Sequence, residues 1–256
     1  MRRPTQPCLL LLLLSASFTP LAAQQPVAPL RGRIGFLEPV GVVAPGRVLL
    51  LTGGSHWDDR AAHRTDVGEM SLRVGLVPRL ELRLSPNSYC SKQVAGLTTQ
   101  GLVDAAVNLK ALVLPPRAGR PTLSASVGST LPSGVHGFTA ERVQPFARLL
   151  AEQRLSARVA LQGNLTWHHL AVAGSGRREQ LTTTAWLGWQ ASRRVWLWGE
   201  HHVVAPLGAL APDARYLHGG VTVGLDASTS VDLHAGFGLT EVAQGRVVGM
   251  GLVQRF

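Results

Sequence analysis

The sequence predicts an all-β protein: a transmembrane, antiparallel, up-and-down β-barrel of about twelve strands. Three observations predict it. Apolar side chains recur at every second position through most of the chain, the period of a strand with one apolar face. Long and short connections alternate between those segments, as they do when one rim of a barrel faces the cell exterior and the other the periplasm. The chain also ends on an aromatic residue, Phe256, within its last amphipathic segment. With 45% hydrophobic and only 16% charged residues, the chain is too apolar to be disordered.

The first element is an address. Arg2 and Arg3 precede the apolar run Cys8 to Leu14, and Leu21-Ala22-Ala23-Gln24 closes it with small residues. This is the pattern of a secretory signal peptide over residues 1–23, cut after Ala23. Pro4-Thr5-Gln6 is not the context of the twin-arginine route, and Cys8 opens the apolar run, so it is not a lipoprotein cysteine. After Ala23 no stretch approaches the ~18–20 consecutive apolar residues of a membrane helix. Of 25 Lys and Arg, Arg2 and Arg3 leave with the signal; 23 remain against 15 Asp and Glu, a net charge of +8. Cys90 is then the single thiol, which excludes an intramolecular disulfide. A Pro-containing leader, 24–46, precedes the barrel, 47–256.

Strands are expected at about 47–54, 66–76, 79–85, 101–114, 121–130, 143–151, 157–170, 179–190, 194–204, 215–225, 230–238 and 246–256. Most have about 9–11 residues, the length of a tilted strand that crosses a bilayer core. In 101–114, Val103, Ala105, Val107, Leu109, Ala111 and Val113 oppose Asp104, Asn108 and Lys110. Val159, Leu161, Leu165 and Trp167 oppose Arg158, Gln162, Asn164, Thr166 and His168. Leu217, Val221, Val223 and Leu225 oppose His218, Gly220, Thr222 and Gly224, and Leu233, Ala235 and Phe237 oppose Asp232, His234 and Gly236. The last strand sets Val248, Met250, Leu252 and Phe256 against Val247, Gly249, Gly251 and Arg255. The long links are Ser55–Thr65, Pro86–Gln100, Leu131–Arg142, Ala171–Arg178, Ala205–Ala214 and Leu239–Gly245; most of the others are tight, such as Val77-Pro78 and Asp226–Thr229. An even strand number puts both termini on the short-turn side. The terminal Phe256 resembles the C-terminal signal of bacterial outer-membrane barrels, which implies the barrel-assembly machinery as a partner. A secreted two-sheet sandwich would alternate too, but has no reason to alternate its loop lengths. Trp167 and Trp189, on the apolar face, suit an interfacial girdle; Trp186, Trp196 and Trp198 fall on the other face or an ambiguous one.

With the apolar face toward lipid, the lumen receives Glu69, Arg73, Glu81, Arg83, Asp104, Lys110, Arg148, Arg158, Glu200 and Asp232, five of each sign. The expectation is a balanced network of cross-strand pairs, not a one-sign ring. Asp104 and Lys110 lie six residues apart, about 20 Å at ~3.3 Å per residue, so each must find partners on other strands. The surplus arginines, Arg117, Arg120, Arg154, Arg177, Arg178, Arg193 and Arg194, fall at rims and turns, where they meet solvent, lipid phosphates or lipopolysaccharide. No contiguous basic face with interleaved aromatics is present, which argues against nucleic-acid binding.

His168-His169 and His201-His202 invite a metal reading, but adjacent strand residues point to opposite faces and cannot share an ion. The inward set His168, His202, His218 and His234, with Glu200 and Asp232, converges only if strand heights match; polar lumen lining is the simpler reading, and no metal or cofactor is expected. An outer-membrane lipid hydrolase would need an outward Ser/His pair with a third polar residue orienting the His. The candidates are His169, His201 and Ser129, and Gly174-Ser175-Gly176 does not complete the GxSxG motif. No enzyme is therefore expected. Asn164-Leu165-Thr166 matches a glycosylation sequon but sits in mid-strand.

Gly101-Leu102-Val103-Asp104, Lys110, Leu131-Pro132-Ser133-Gly134, Glu200 and the closing strand resemble the outer-membrane barrels associated with the meta-cleavage pathway of phenol degradation, over about Pro45 to Phe256. Val103 stands where that pattern has a second Gly, and Ala111 replaces its aromatic after the Lys. The resemblance implies a transporter-like barrel of the outer membrane for small aromatic or other hydrophobic solutes. Pro132, Ser133 and Gly134 would turn the third long loop over the barrel mouth, Pro ending the ladder and Gly permitting the bend; Asp104 and Lys110 would anchor the lumen network. Two functions follow as expectations: a passive, cofactor-free channel, and, as the alternative, a non-transporting barrel with a structural or surface role whose lumen is closed by the charge network and the leader. A lipid hydrolase ranks third.

Overall fold

In the computed structural model, residues 36–59, 62–172, 176–208 and 212–256 are described. The expected signal peptide, 1–23, and residues 24–35 of the expected leader lie outside them. Alternating sequence becomes fifteen strand segments: β1 (Val48–Asp58), β2 (Ala62–Val67), β3 (Ser71–Val77), β4 (Leu80–Ser85), β5 (Tyr89–Val94), β6 (Leu97–Leu102), β7 (Ala105–Leu114), β8 (Thr122–Leu131), β9 (Gln144–Arg154), β10 (Val159–Val172), β11 (Gly176–Gln190), β12 (Val195–Pro206), β13 (Ala214–Gly224), β14 (Thr229–Gly238) and β15 (Arg246–Arg255). Every pairing between them is antiparallel, and β1 pairs β15 from Leu49↔Arg255 to Asp58↔Arg246, closing a barrel of 12 staves.

Three staves are broken. β2 and β3 form one, separated at Gly68-Glu69-Met70; β4 and β5 form the next, separated at Pro86-Asn87-Ser88; β6 and β7 form the third, separated at Val103-Asp104. β1 pairs β3 through its first residues and β2 through its last. The ladders β3–β4–β7 and β2–β5–β6 therefore stop at matching heights. Pro86 has no N–H to give a ladder, and Gly68 sits at φ 69, where residues with a Cβ are strained.

The burial pattern separates two faces with little ambiguity. Outward apolar side chains stay exposed, with Met250 at 62% and Val127 at 61%, whereas inward polar ones vanish, with Lys110 and Glu81 at 0%. A soluble protein does not array apolar side chains around its whole circumference; a bilayer-spanning barrel does. Trp167 and Trp189 are both on the outer face, eight residues of β10 apart by register, about 26 Å along the strand at ~3.3 Å per residue. Trp186, Trp196 and Trp198 point inward and are buried with Ala160 and Leu37 of the leader.

Three of the expected long links are shorter than the sequence suggested, Ala171–Arg178 among them, since β10 runs to Val172 and β11 begins at Gly176. Ser55–Thr65 is mostly strand, since β1 runs to Asp58 and β2 begins at Ala62. Pro86–Gln100 contains the hairpin β5–β6, turned at Ala95 (φ 50) and Gly96 (φ 81), the left-handed pair that matches strand twist. β10 and β11 have 14 and 15 residues, more than a bilayer needs, and so stand clear of it on the long-loop side.

Candidate functional site

The lumen is occupied by the chain's own leader. Residues 36–46 run down the inside of the barrel from the long-loop half, where Phe36 stacks on His202 at 4.2 Å between ring centroids and tilts against Trp57 and Tyr216. They end at the short-turn rim, where the Gly46 amide donates to Gly75 O at 3.0 Å and the chain enters β1. The leader backbone passes so close to β3 that a Cβ on Gly75 would lie 2.0 Å from Ala44 O. Only a glycine fits there.

An extended segment inside a barrel carries N–H and C=O groups that must be satisfied. The wall supplies the partners. Lys110 Nζ donates to Pro39 O (3.0 Å) and Gly41 O (2.7 Å), Arg73 to Gly41 O (2.9 Å), and the Ser124 hydroxyl to Val40 O (2.6 Å). In the other direction, the Val43 amide donates to Glu81 Oε2 at 2.8 Å. The amides of Phe36 and Leu37 donate to the two oxygens of Glu200, at 2.7 and 3.2 Å, and the His218 Nδ1–H donates to the same carboxylate at 2.7 Å.

The leader also contributes a charge. Glu38, 4% exposed, is ion-paired with Arg148, with Arg83 at 3.2 Å and with Lys110 at 3.5 Å. Beside it, Glu81 takes a bidentate pair of bonds from Arg73, both 2.8 Å, with Lys110 at 3.4 Å and Arg83 at 3.7 Å. Buried ions of this kind persist only when each is countered and hydrogen-bonded. The wall brings four cations and one acid to this cluster, and the leader brings the second acid.

Five of the sequence-derived network residues thus meet: Arg73, Glu81, Arg83, Lys110 and Arg148. The other five do not join them; Glu69 accepts from the Ser55 hydroxyl at 3.3 Å. Arg158 is exposed in the β9–β10 turn. Glu200 holds the start of the described leader. Asp232 pairs with His234 at 3.1 Å. Asp104 instead accepts from the amides of Gly134 and Ala140, both at 2.8 Å. The lumen is therefore not one balanced network; its charges divide by partner, and the central cluster is cationic on the wall side.

Pro132, Ser133 and Gly134 fold the β8–β9 loop back onto the strand breaks. Ser133 Oγ accepts from the Ala105 amide and from Asn87 Nδ2, both at 3.0 Å, and the Val135 amide donates to Leu102 O at 2.9 Å. Asn87 also donates to Val103 O at 2.6 Å. Asn87 and Glu38 were both missed from sequence. For Asn87 the adjacency to Pro86 in a supposed loop was the available sign; for Glu38 the only sign was an acid in an otherwise apolar leader.

Between the leader and the breaks lies a cavity of about 390 Å³, bounded by Phe36, Glu38, Met70, Arg83, Pro86 and Arg148 among others. The inward histidines do not converge on one point: His202 hydrogen-bonds Thr184 (2.9 Å), His168 contacts Thr182 (3.3 Å), and His218 and His234 lie edge to face at 4.8 Å. No group of three or more metal-ligating residues is present among the described residues. The hydrolase candidates stay apart. Ser129 pairs Pro145 and His168 pairs Phe146, so β9 separates Ser129 from His169 by two strand spacings, about 10 Å at ~4.8 Å each. His169 pairs with Glu179 instead, His201 lies on β12, and Gly174 and Ser175 of the glycine-serine motif fall outside the described residues.

No family model matches the sequence, and no curated protein matches it. Among solved structures it is similar to an outer membrane channel from Pseudomonas putida F1, with a TM-score of 0.69 at 15% identity over 88% of this chain and 100% of that one. It is also similar to the NanC porin, with a TM-score of 0.56 at 7% identity over 80% and 98% of the two chains. The KdgM porin in complex with disordered oligogalacturonate follows, with a TM-score of 0.53 at 9% identity over 80% and 99%. At these identities the likeness is one of fold: a closed, antiparallel β-barrel of the outer-membrane type.

Proposed function

We propose that this protein is a passive outer-membrane channel for small solutes, with the leader as the element that sets its conductance. The observation that carries the reading is the non-covalent seating of residues 36–46 across the lumen, beside a polar-floored cavity of about 390 Å³. Solved barrels of similar fold are channels and porins. The resemblance to barrels associated with phenol degradation supports small aromatics as the first solutes to test. The assembly machinery, recognising β15 and Phe256, and lipids or lipopolysaccharide at the rim arginines are the partners this reading requires. Neither a cofactor nor catalysis enters it.

Reconstitution in planar bilayers tests it: the full mature chain should give small, defined conductance steps, and deletion of residues 36–44 should enlarge them. A barrel that stays silent in both forms would overturn the channel reading. A silent full-length chain with a conducting deletion would favour the second reading, a closed lumen plugged by its leader, which the burial of Leu37, Glu38 and Val40 supports.

A further inference from the structure

Resting on the channel reading, we infer that the cavity beside the leader is a binding site for compact amphipathic monocarboxylates, and that Glu38 occupies the place of the ligand's carboxylate. Three observations converge. The wall of the central cluster presents Arg73, Arg83, Lys110 and Arg148 against a single wall acid, Glu81, and Glu81 is already engaged by Arg73 and by the Val43 amide. Lys110 is engaged by two leader carbonyls. Arg148 thus takes its counter-charge from a carboxylate that arrives on the leader, and Arg83, 3.7 Å from Glu81, takes its nearer one from there too.

Arg83 and Arg148 meet at one oxygen of the leader. The Nη1 of Arg83 lies 3.2 Å from Glu38 Oε2, which Arg148 Nη1 also pairs, while Arg83 Nη2 stands 3.7 Å from Glu81 Oε1. Two guanidinium groups directed at one cavity-lining carboxylate match a ligand's carboxylate, whose planar fork guanidinium groups bind through charge-assisted hydrogen bonds.

The remaining lining sets the rest of the ligand. Phe36, Leu51, Met70 and Pro86 give the cavity an apolar side suited to a ring or a short alkyl body. Glu69 and Asp104 line it too; Glu69 accepts from the Ser55 hydroxyl at 3.3 Å, and Asp104 caps the two loop amides. A second negative charge on the ligand would meet these acids, which restricts the site to one carboxylate. Because Glu38 and the ligand compete for the same arginines, an occupied site loosens the leader, and the solute favours its own passage.

Benzoate, its neutral isostere benzamide, and the dicarboxylate phthalate test the site by titration calorimetry on the full mature protein in detergent. Benzoate should bind roughly tenfold or more tightly than either analogue, the factor that a charge-assisted bond supplies. Glu38→Gln, which removes the internal competitor, should tighten benzoate binding, and Arg83→Gln should abolish the preference over benzamide. Benzamide binding as well as benzoate in the wild-type protein, or an affinity unchanged by Glu38→Gln, would overturn the inference without relying on the folding of the Arg83 variant. Conductance without benzoate keeps the two proposals separate. A conducting barrel with no benzoate preference refutes only this site; a silent barrel that prefers benzoate refutes only the channel.

Discussion

Glu81 is the residue on which most of the lumen chemistry converges. It is fully buried and holds Arg73, Lys110, Arg83 and the leader's Val43 amide together. Glu81→Gln leaves three cations short of a counter-charge, and breaking a buried ion network in this way costs roughly 3–5 kcal/mol. Denaturant unfolding in detergent should show that loss, and Glu81→Ala should be no milder. Glu200→Gln acts locally instead. A carboxamide cannot accept from both leader amides and the His218 N–H at once, so the Phe36 and Leu37 amides should exchange hydrogen roughly ten- to a hundredfold faster while β12 keeps its protection. The inward direction of Glu81, Arg83, Lys110 and Glu200 was legible in the sequence, because period-2 alternation fixes the face of every strand residue. Their partners were not, because Glu38 lies in a segment without a period and Asp104 turns to a loop whose amides no pattern reveals.

At the scale of elements, the leader and the broken staves are what the sequence concealed. Alternation continues through β2, β5 and β6, but Gly68-Glu69-Met70, Pro86-Asn87-Ser88 and Val103-Asp104 look from sequence like loop or continuous strand, and only their equal height reveals them as one joint. The leader docks because Gly75 admits its backbone, so Gly75→Ala should expel residues 44–46 from β3 while the barrel still closes through β1 and β15. Retained resistance to unfolding in cold dodecyl sulfate, together with new protease cleavage in the leader, would show this. The short turns were legible, and one carries a pH dependence. Asp226 Oδ1 accepts from the Ser228 amide (2.7 Å), the Ser228 hydroxyl (2.8 Å) and the Thr229 amide (2.8 Å), and these donors, the Ser228 amide foremost, hold its carboxyl below its usual range. A depressed carboxylate stabilises the turn above its ordinary pKa of about 3.9 and loses that contribution as pH falls through the folded value. Amide exchange at Ser228 and Thr229, corrected for intrinsic rates, should therefore rise only under strong acid in the wild-type chain, and already at neutral pH in Asp226→Ala.

For the whole molecule, the basic surplus of the chain first looks like a property of rims, and the structure divides it differently. Turn arginines such as Arg193 and Arg194 are exposed at the short-turn end, where solvent screens them, but four further cations are gathered at the middle of the lumen around two acids, Glu38 and Glu81. An ion that passes the leader meets this local excess of two positive charges in a confined passage, where Coulomb interactions exceed their value in bulk water. The open channel should therefore favour anions, seen as a reversal potential of the matching sign under a potassium chloride gradient. Glu38→Gln should increase the preference and Arg148→Gln decrease it, since each moves the excess by one charge. Salt decides whether the lumen cluster or the rim is responsible. The Debye length is about 10 Å at 0.1 M and about 3 Å at 1 M, so rim arginines lose their influence at high salt. A preference set by buried groups that permeating ions pass at contact distance should persist there, and its disappearance at 1 M would reassign the selectivity to the exposed arginines.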